Sequence, residues 1–248
     1  MSEFIIEAIE VHGEDLLLYL AVVAEAYEEA PRFDQRSVEG YIALVQSNNR
    51  LKNIVMKDVK VEYTPDDPYK THKEMVQDIV QNKRLKIYTG ADEPHPTMSN
   101  EENVDLRTIH DYFAHTGPVR KRVKQGKPIR THGFSARGEL SAYLVHAKLA
   151  PPEAVPVLFT EVVGQIAYFT VTGGYAPQKA AILDGFDYYR IGRFTNEKRQ
   201  KRFDELKQQW ENEGKIDVRV KGGITITKEN APWKMISRGA GKKVGPRG

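Results

Sequence analysis

The chain contains no cysteine among its 248 residues. This absence excludes disulfide bonds, thiolate zinc sites and cysteine nucleophiles, so any metal has to be held by histidine, carboxylate or amide groups. We also find no apolar run that approaches the roughly 18 residues of a membrane span. The acidic start of the chain lacks the basic-then-apolar order of a secretory signal. The sequence therefore predicts a cytoplasmic protein without a membrane partner.

The hydrophobic share of 40% is enough for one large domain or two small ones. Helical periodicity dominates, and only short stretches alternate with the period of two that is typical of strands. We predict a mainly α protein of the α+β kind, with a small N-terminal two-stranded element and a C-terminal β-hairpin. Three segments are expected: an N-terminal helical segment with short strands (1–98), a helical core with a polar cluster (99–192), and a charged helix with a hairpin and a basic tail (193–248).

Apolar spacing and helix-boundary residues define the predicted elements. Ser99 and Glu102 stand at the two positions of a capping box, which marks a helix start. The two strands are predicted at 59–64 and 84–88 and are expected to pair, and the hairpin is predicted at 215–227. Helices are predicted at residues 14–30, 38–47, 71–81, 99–115, 134–149, 153–172, 178–189 and 195–213.

Acids, imidazoles and an amide recur at helix-compatible spacing in three of these helices. Asp111 and His115 are four residues apart and share one face, whereas His110 points about a quarter-turn away. Glu139 and His146 are seven apart, which is two turns along one face. Glu161 and Gln165 are again four apart, on a third helix. We expect these groups to meet inside the helical core.

Burying such groups costs several kcal/mol unless each finds a partner, and a divalent metal ion would supply one. The donor set suits zinc, manganese or iron and favours a catalytic over a purely structural site. Two of the acids are predicted to be catalytic, and Glu161 could also be a further ligand. The metal ligands are predicted to be His110, His115, Glu139 and His146, and the catalytic carboxylates Asp111 and Glu161.

The alternative is a hydrogen-bonded polar network that fixes the packing of the helices without a metal. A third interpretation is that the residues are unrelated and lie on the surface. His72, His95 and His132 are weaker candidates for the same cluster. Among them His95 stands between two prolines in the loop that leads into the helix at 99–115.

The segment between Gly117 and Arg137 contains seven Lys/Arg and no acid. Such a segment is typical of a surface that meets an anionic partner, or of an ordinary solvated basic surface. A second basic stretch, rich in Gly, Lys and Arg, forms residues 238–248 and is expected to be a disordered tail. We predict an anion-binding set of Arg120, Lys121, Arg122 and Lys124, with nucleic acid as a candidate partner.

The run IHDYFAH at residues 109–115 resembles the His-Asp core of the HD phosphohydrolases. That family has an earlier histidine and a later aspartate, which His72 and either Asp184 or Asp187 would have to supply here. The resemblance implies a metal-dependent phosphohydrolase.

A second resemblance rests on HDYFAH, FSARGELSAYLVH, LFTEVVGQ and PQK, which span about residues 94–183. This series is similar to uncharacterised proteins of tailed bacteriophages. It implies a protein of the infected host's cytoplasm or of the virion. Three functions follow as hypotheses: a metal-dependent hydrolase acting on a phosphate-containing substrate, a non-enzymatic virion component contacting neighbouring subunits or packaged DNA, and a nucleic-acid-binding regulator.

Overall fold

A computed structural model describes residues 8–90, 93–117, 123–126 and 131–213 of the chain. The predicted hairpin at 215–227 and the basic tail lie outside the described residues. Within them the protein is mainly α-helical with one two-stranded parallel sheet, which confirms the predicted fold class. The elements are α1 (Gly13–Glu29), α2 (Val38–Asp58), β1 (Lys60–Thr64), α3 (His72–Gln77), β2 (Arg84–Tyr88), α4 (Asn100–Ile109), α5 (Ala136–Ala147), α6 (Pro152–Thr172) and α7 (Glu197–Asn212).

The helices α1 and α6 pack against each other at the centre of the fold. Gly164 of α6 makes this close approach possible, because a Cβ atom there would lie 2.6 Å from the Tyr27 ring of α1. The helix Pro152–Thr172 is long and apolar enough to cross a membrane, which the sequence analysis did not anticipate. Its most apolar window is 61% buried within the protein, as in the core helix of a globular fold.

The two strands form the unit predicted from their alternating residues. β1 and β2 pair in parallel, with Tyr63 opposite Ile87, and α3 connects them. Parallel strands need such a crossover, because a tight turn can only join antiparallel ones. The preceding helix α2 runs to Asp58 rather than ending near Ser47, and it buries Asn48 in its interior. Tertiary packing therefore overrides the helix-stop signal of the paired asparagines.

Most of the predicted site lies on the turn His110–His115, which follows α4, and on α5, and these two elements pack against each other. Ser99 accepts a hydrogen bond from the Glu102 backbone, and the Glu102 side chain accepts one from Ser99 N–H, which confirms the capping box. Ser135 caps α5 through the backbone N–H of Gly138. Both caps fix where the site helices begin.

Three wide π turns, in which hydrogen bonds join residues five apart, continue or interrupt helices of the described chain. These turns follow α3, follow α4 and interrupt α6. Each holds a buried polar residue, and such turns are frequent at functional sites. They span Asp78–Asn82, His110–His115 and Thr160–Gly164.

The predicted helix at 178–189 is wrong. The segment is irregular because its backbone pairs with distant residues: Ala180 N–H donates to Arg32 O, and Asp34 N–H donates to Ala180 O. Gly185 has a φ of +97°, which a regular helix does not allow. Lys179 is buried, and its ammonium group donates to the last carbonyls of α1.

The predicted helix near the C-terminus is confirmed as α7. It buries Phe203, Leu206 and Trp210 and pairs through Arg202 with Glu25 of α1. These apolar residues join the same hydrophobic cluster as α1, α5 and α6. Residues from all three predicted segments therefore share one core.

Candidate metal centre

Two imidazoles and one carboxylate converge between α4 and α5. His110 and His115 lie in the wide turn that ends α4, and Glu139 lies in the first turn of α5. The Glu139 Oε2 atom lies 3.2 Å from His115 Nε2 and 3.4 Å from His110 Nε2. One ligand atom from each residue lies within 4.8 Å of the other two. These three residues, with His146, form what we call the imidazole cluster.

The wide turn explains which histidines converge. In a regular α-helix Asp111 and His115 would share a face, as the sequence analysis expected. The observed turn closes with a hydrogen bond from Thr116 N–H to Asp111 O, five residues apart. Residues at that spacing are stacked in a π turn, so His110 and His115 come together instead.

The orientation of His115 is fixed from behind its ring. Its Nδ1 atom lies 2.8 Å from the carbonyl oxygen of His132, which can only accept, so Nδ1 carries a proton. The His132 N–H in turn donates to the His115 carbonyl. With Nδ1 committed to the carbonyl, His115 meets Glu139 through Nε2: the imidazolium donates a proton there, and the neutral ring would present a lone pair to a metal ion, as metal-binding histidines commonly do.

Charge and burial shift the pKa values of the cluster in opposite directions. Burial alone would raise the pKa of Glu139, but its hydrogen-bond contacts with His110 and His115 lower it to about 2. Burial would lower the pKa of His115, but Glu139 and then Asp111 outweigh it and raise that pKa. The carboxylate is therefore ionised, and a positive charge between it and the imidazoles is favoured.

Asp111 lies in the electrostatic field of the cluster. Burial raises the pKa of its carboxyl, against the lowering effect of the imidazoles of His115 and His110. A raised pKa brings a carboxyl closer to the range in which it can exchange a proton during a reaction. Asp111 therefore remains the predicted catalytic acid, coupled by charge to His115 and His110.

His146 occupies the inner end of the cluster. It is fully buried on α5, and its Nδ1 lies 3.4 Å from His110 Nδ1. Its Nε2 atom has no hydrogen-bond partner among the described residues. Burial holds the pKa of His146 well below its usual value.

Two further histidines surround the cluster, so five of the chain's seven histidines meet here. His72 Nε2 lies 3.3 Å from the His115 carbonyl, and its ring packs edge-on against Phe134. Burial lowers the pKa of both His72 and His132. Neither belongs to the group of converging ligand atoms.

Glu161 belongs to a different group of buried side chains. Its Oε1 accepts a hydrogen bond from Tyr41 and lies 3.0 Å from His95 Nε2, and its Oε2 accepts one from Gln165 at 2.9 Å. The His95 Nδ1 accepts backbone N–H bonds, one of them from Met98 at 2.9 Å, so its proton is on Nε2 and points at Glu161. We call these four residues the Glu161 network.

The sequence predicted that Glu161 and Gln165 lie four residues apart on one helix, but not that Glu161 would be engaged away from the ligand atoms. Sequence reasoning missed one member of the network, Tyr41, which reads as one more apolar residue of α2, and it also missed Arg107, which lies outside the network. The pKa of Arg107 is lowered by burial, and its guanidinium donates to the Tyr88 carbonyl. A polar tip on a helical apolar stripe gives no signal of this kind before the fold is known.

The remaining predicted residues lie elsewhere. Lys124 is exposed, whereas Arg120, Lys121 and Arg122 lie outside the described residues. The two candidates for the one later aspartate of the phosphohydrolase resemblance are both engaged away from the cluster. Asp184 pairs with Arg36, and Asp187 accepts the backbone N–H bonds of a turn.

Protein-family models, curated proteins and solved structures give no match to this chain.

Proposed function

We propose that this protein binds one divalent metal ion between His110, His115 and Glu139. The observation that carries the proposal is the contact of Nε2 atoms with Oε2. His115 Nδ1 keeps its proton on the His132 carbonyl, so Nε2, at 3.2 Å from a carboxylate oxygen, is the atom that either holds a second proton or binds a cation. Two acceptors face each other stably only with a proton or a cation between them. Zinc bonds of about 2.0–2.1 Å in tetrahedral geometry separate neighbouring ligands by roughly 3.3–3.4 Å.

Two imidazoles and one carboxylate suit zinc, manganese or iron, and three protein ligands leave coordination positions for water or substrate. A metal ion in such a site lowers the pKa of a bound water and polarises a phosphoryl oxygen. Asp111 is the group of this chain beside the ligands that can take up or return a proton. We therefore infer metal-dependent hydrolysis.

A phosphate-containing, anionic substrate is the inference from charge. The chain leaves the cluster at His115 and returns at His132, where two backbone-anchored contacts hold the two residues together. Between them the sequence contains six Lys/Arg and no acid. A basic sequence between two residues that belong to the site would favour an anion over a neutral substrate.

Metal analysis tests the first step. Purified without chelator, the protein should carry close to one equivalent of zinc, manganese or iron, and His115→Ala and Glu139→Gln should abolish uptake. The exposed Glu153 on the same chain gives a matched control, since Glu153→Gln should bind like the wild type. Less than about a tenth of an equivalent in the wild type, with no uptake on titration, would falsify the proposal.

Hydrolysis of p-nitrophenyl phosphate and bis(p-nitrophenyl) phosphate tests the second step. We expect activity that requires the metal and that falls by about a hundredfold or more in Asp111→Asn. That variant should still bind the metal, because Asp111 is not among the converging ligands. If the protein binds metal but hydrolyses neither phosphate ester, the proposed metal site stands and the proposed hydrolytic activity is rejected.

A second candidate function is a non-enzymatic virion component, in which the two clusters only fix the fold. The observation that favours it is burial: the cluster imidazoles are 9% exposed at His110 and 2% at His115. In this case the basic segments would contact neighbouring subunits or packaged DNA. Detection of the protein in purified phage particles at the copy number of a symmetric ring or shell would support it.

A further inference from the structure

His146 is the one cluster residue whose role the metal proposal leaves open. Its ring lies behind that of His110, with ring centroids 5.6 Å apart and the two Nδ1 atoms 3.4 Å apart. It is fully buried, and its Nε2 meets no hydrogen-bond partner in the described part of the chain. A buried imidazole with one unmatched nitrogen is costly, so its retention calls for a reason.

The two facing Nδ1 atoms have only one arrangement that is compatible with metal binding. His110 approaches Glu139 through Nε2, so this atom has to be unprotonated when it binds a metal. The proton of the neutral His110 ring is then on Nδ1 and is donated to His146 Nδ1. His146 accepts with Nδ1 and carries its own proton on Nε2.

His146 cannot join His110 and Glu139 around the same ion in this geometry. The Nδ1 and Nε2 atoms of an imidazole point to nearly opposite sides of the ring. His110 presents Nε2 to Glu139 and Nδ1 to His146, so the ring of His110 separates His146 from the ligand atoms. This differs from the sequence-based expectation that His146 is a ligand.

We propose that His146 is a positioning residue that accepts the Nδ1–H bond of His110 and so holds that ring in its metal-binding tautomer and orientation. The inference rests on the proposed metal site and deepens it. The His132 carbonyl does the same for His115, so each histidine ligand has one acceptor behind its ring. Partners of this kind raise the basicity of a ligand and typically contribute about 10–100-fold in metal affinity.

Two substitutions separate the hydrogen bond from the packing. His146→Asn keeps an acceptor oxygen near the Nδ1 position, whereas His146→Leu fills the space with an apolar side chain. Zinc affinity is measured on the full chain by competition with a chromophoric chelator. We expect His146→Leu to weaken binding by about 10–100-fold at unchanged one-to-one stoichiometry. His146→Asn should restore affinity to within a few-fold of the wild type.

Side-chain NMR of the wild type gives a readout that packing alone would not move. Nitrogen-15 spectra of the zinc-loaded protein should show His110 protonated on Nδ1 and His146 protonated on Nε2. In the cadmium-113 form, metal coupling should reach the Nε2 atoms of His110 and His115 and be absent from His146. This measurement also decides the question if His146→Leu does not fold.

Coupling between cadmium and His146, or equal zinc affinity in His146→Leu and wild type, would overturn the positioning role while leaving the metal site intact. A wild-type protein that takes up no metal would instead remove the proposed function, and this inference with it. The two failures are therefore distinguishable.

Discussion

Two buried groups of polar side chains in this protein differ in how their hydrogen bonds are matched. In the Glu161 network every donor that points inward meets an acceptor: Tyr41, His95 and Gln165 all donate to one carboxylate. In the imidazole cluster the contact of His115 Nε2 with Glu139 needs either a second proton on the ring or a metal ion between the two atoms, and His146 keeps an unmatched nitrogen. Both groups are deep in the protein, so burial alone does not distinguish them.

The difference teaches how a structural polar group is told from a ligand-binding one. A network whose donors and acceptors are paired gains nothing from a further ion and is expected to specify packing. A group of acceptors held together by the fold is stabilised by whatever cation enters it. Substitutions in the two groups should therefore have opposite effects on stability and on metal binding.

Removing the carboxylate of the paired network should destabilise the fold without affecting metal binding. Glu161→Ala leaves the buried donors of Tyr41, His95 and Gln165 without an acceptor, at about 1–3 kcal/mol each. We expect the free energy of unfolding to fall by at least about 3 kcal/mol in denaturant titrations of the metal-free protein.

The milder Glu161→Gln keeps acceptor capacity and should lose less stability. Zinc affinity of both folded variants should match that of the wild type. A loss of zinc affinity in Glu161→Gln, measured well below its unfolding transition, would place Glu161 in the metal site after all.

Zinc should stabilise the wild type, and this gain should depend on Glu139 in the imidazole cluster. Zinc at a hundred times its dissociation constant should raise the free energy of unfolding of the wild type by about 2.7 kcal/mol. Glu139→Gln should lose this gain because its amide is a weak ligand, and Glu153→Gln should keep it. Equal stabilisation of Glu139→Gln and wild type would mean that zinc binds elsewhere.

A smaller effect, dependent on pH and not on metal, is expected at a second paired carboxylate. Asp78 is buried, which would raise its pKa, but hydrogen bonds from Arg84, Asn82 and Tyr69 lower it below 3.8. A lowered pKa means that the carboxylate stabilises the protein above the unfolded value and loses this contribution as the pH falls through the folded value.

The variant Asp78→Asn should therefore be less stable than the wild type by about 1–2 kcal/mol at neutral pH. The gap should close as the pH falls below 3.8, the pKa of an ordinary aspartate. Denaturant titrations at neutral and acidic pH measure it, and a gap that widened in acid would contradict the assignment.

The sequence correctly predicted those helices and strands whose formation depends on residues close to one another in the chain. The capping box at Ser99, the alternation in β1 and β2 and the apolar spacing of α1 and α7 all correspond to observed structure. The helix predicted at 178–189 failed because its backbone hydrogen bonds go to residues that are distant in sequence. Periodicity cannot reveal partners of that kind.

The candidate site was predicted in composition but not in geometry. Glu139 and His146 face α4 as their spacing indicates, whereas the spacing paired His115 with Asp111 rather than with His110. That difference comes from a wide helical turn, which the apolar spacing of a helix does not reveal. The spacing also could not show that Glu161 lies apart from the ligands, because its partners Tyr41 and His95 come from distant segments of the chain.

The wide turn from His110 to His115 also makes the site sensitive to chain length. It holds one residue more than a regular helical turn needs, and that surplus residue decides which side chains are stacked. Shortening the chain by a single position between Asp111 and Ala114 would allow the helix to return to its ordinary pitch, with no change in any charged group. The two rings would then face different directions, so the spacing between histidines is as much a part of this centre as their chemistry.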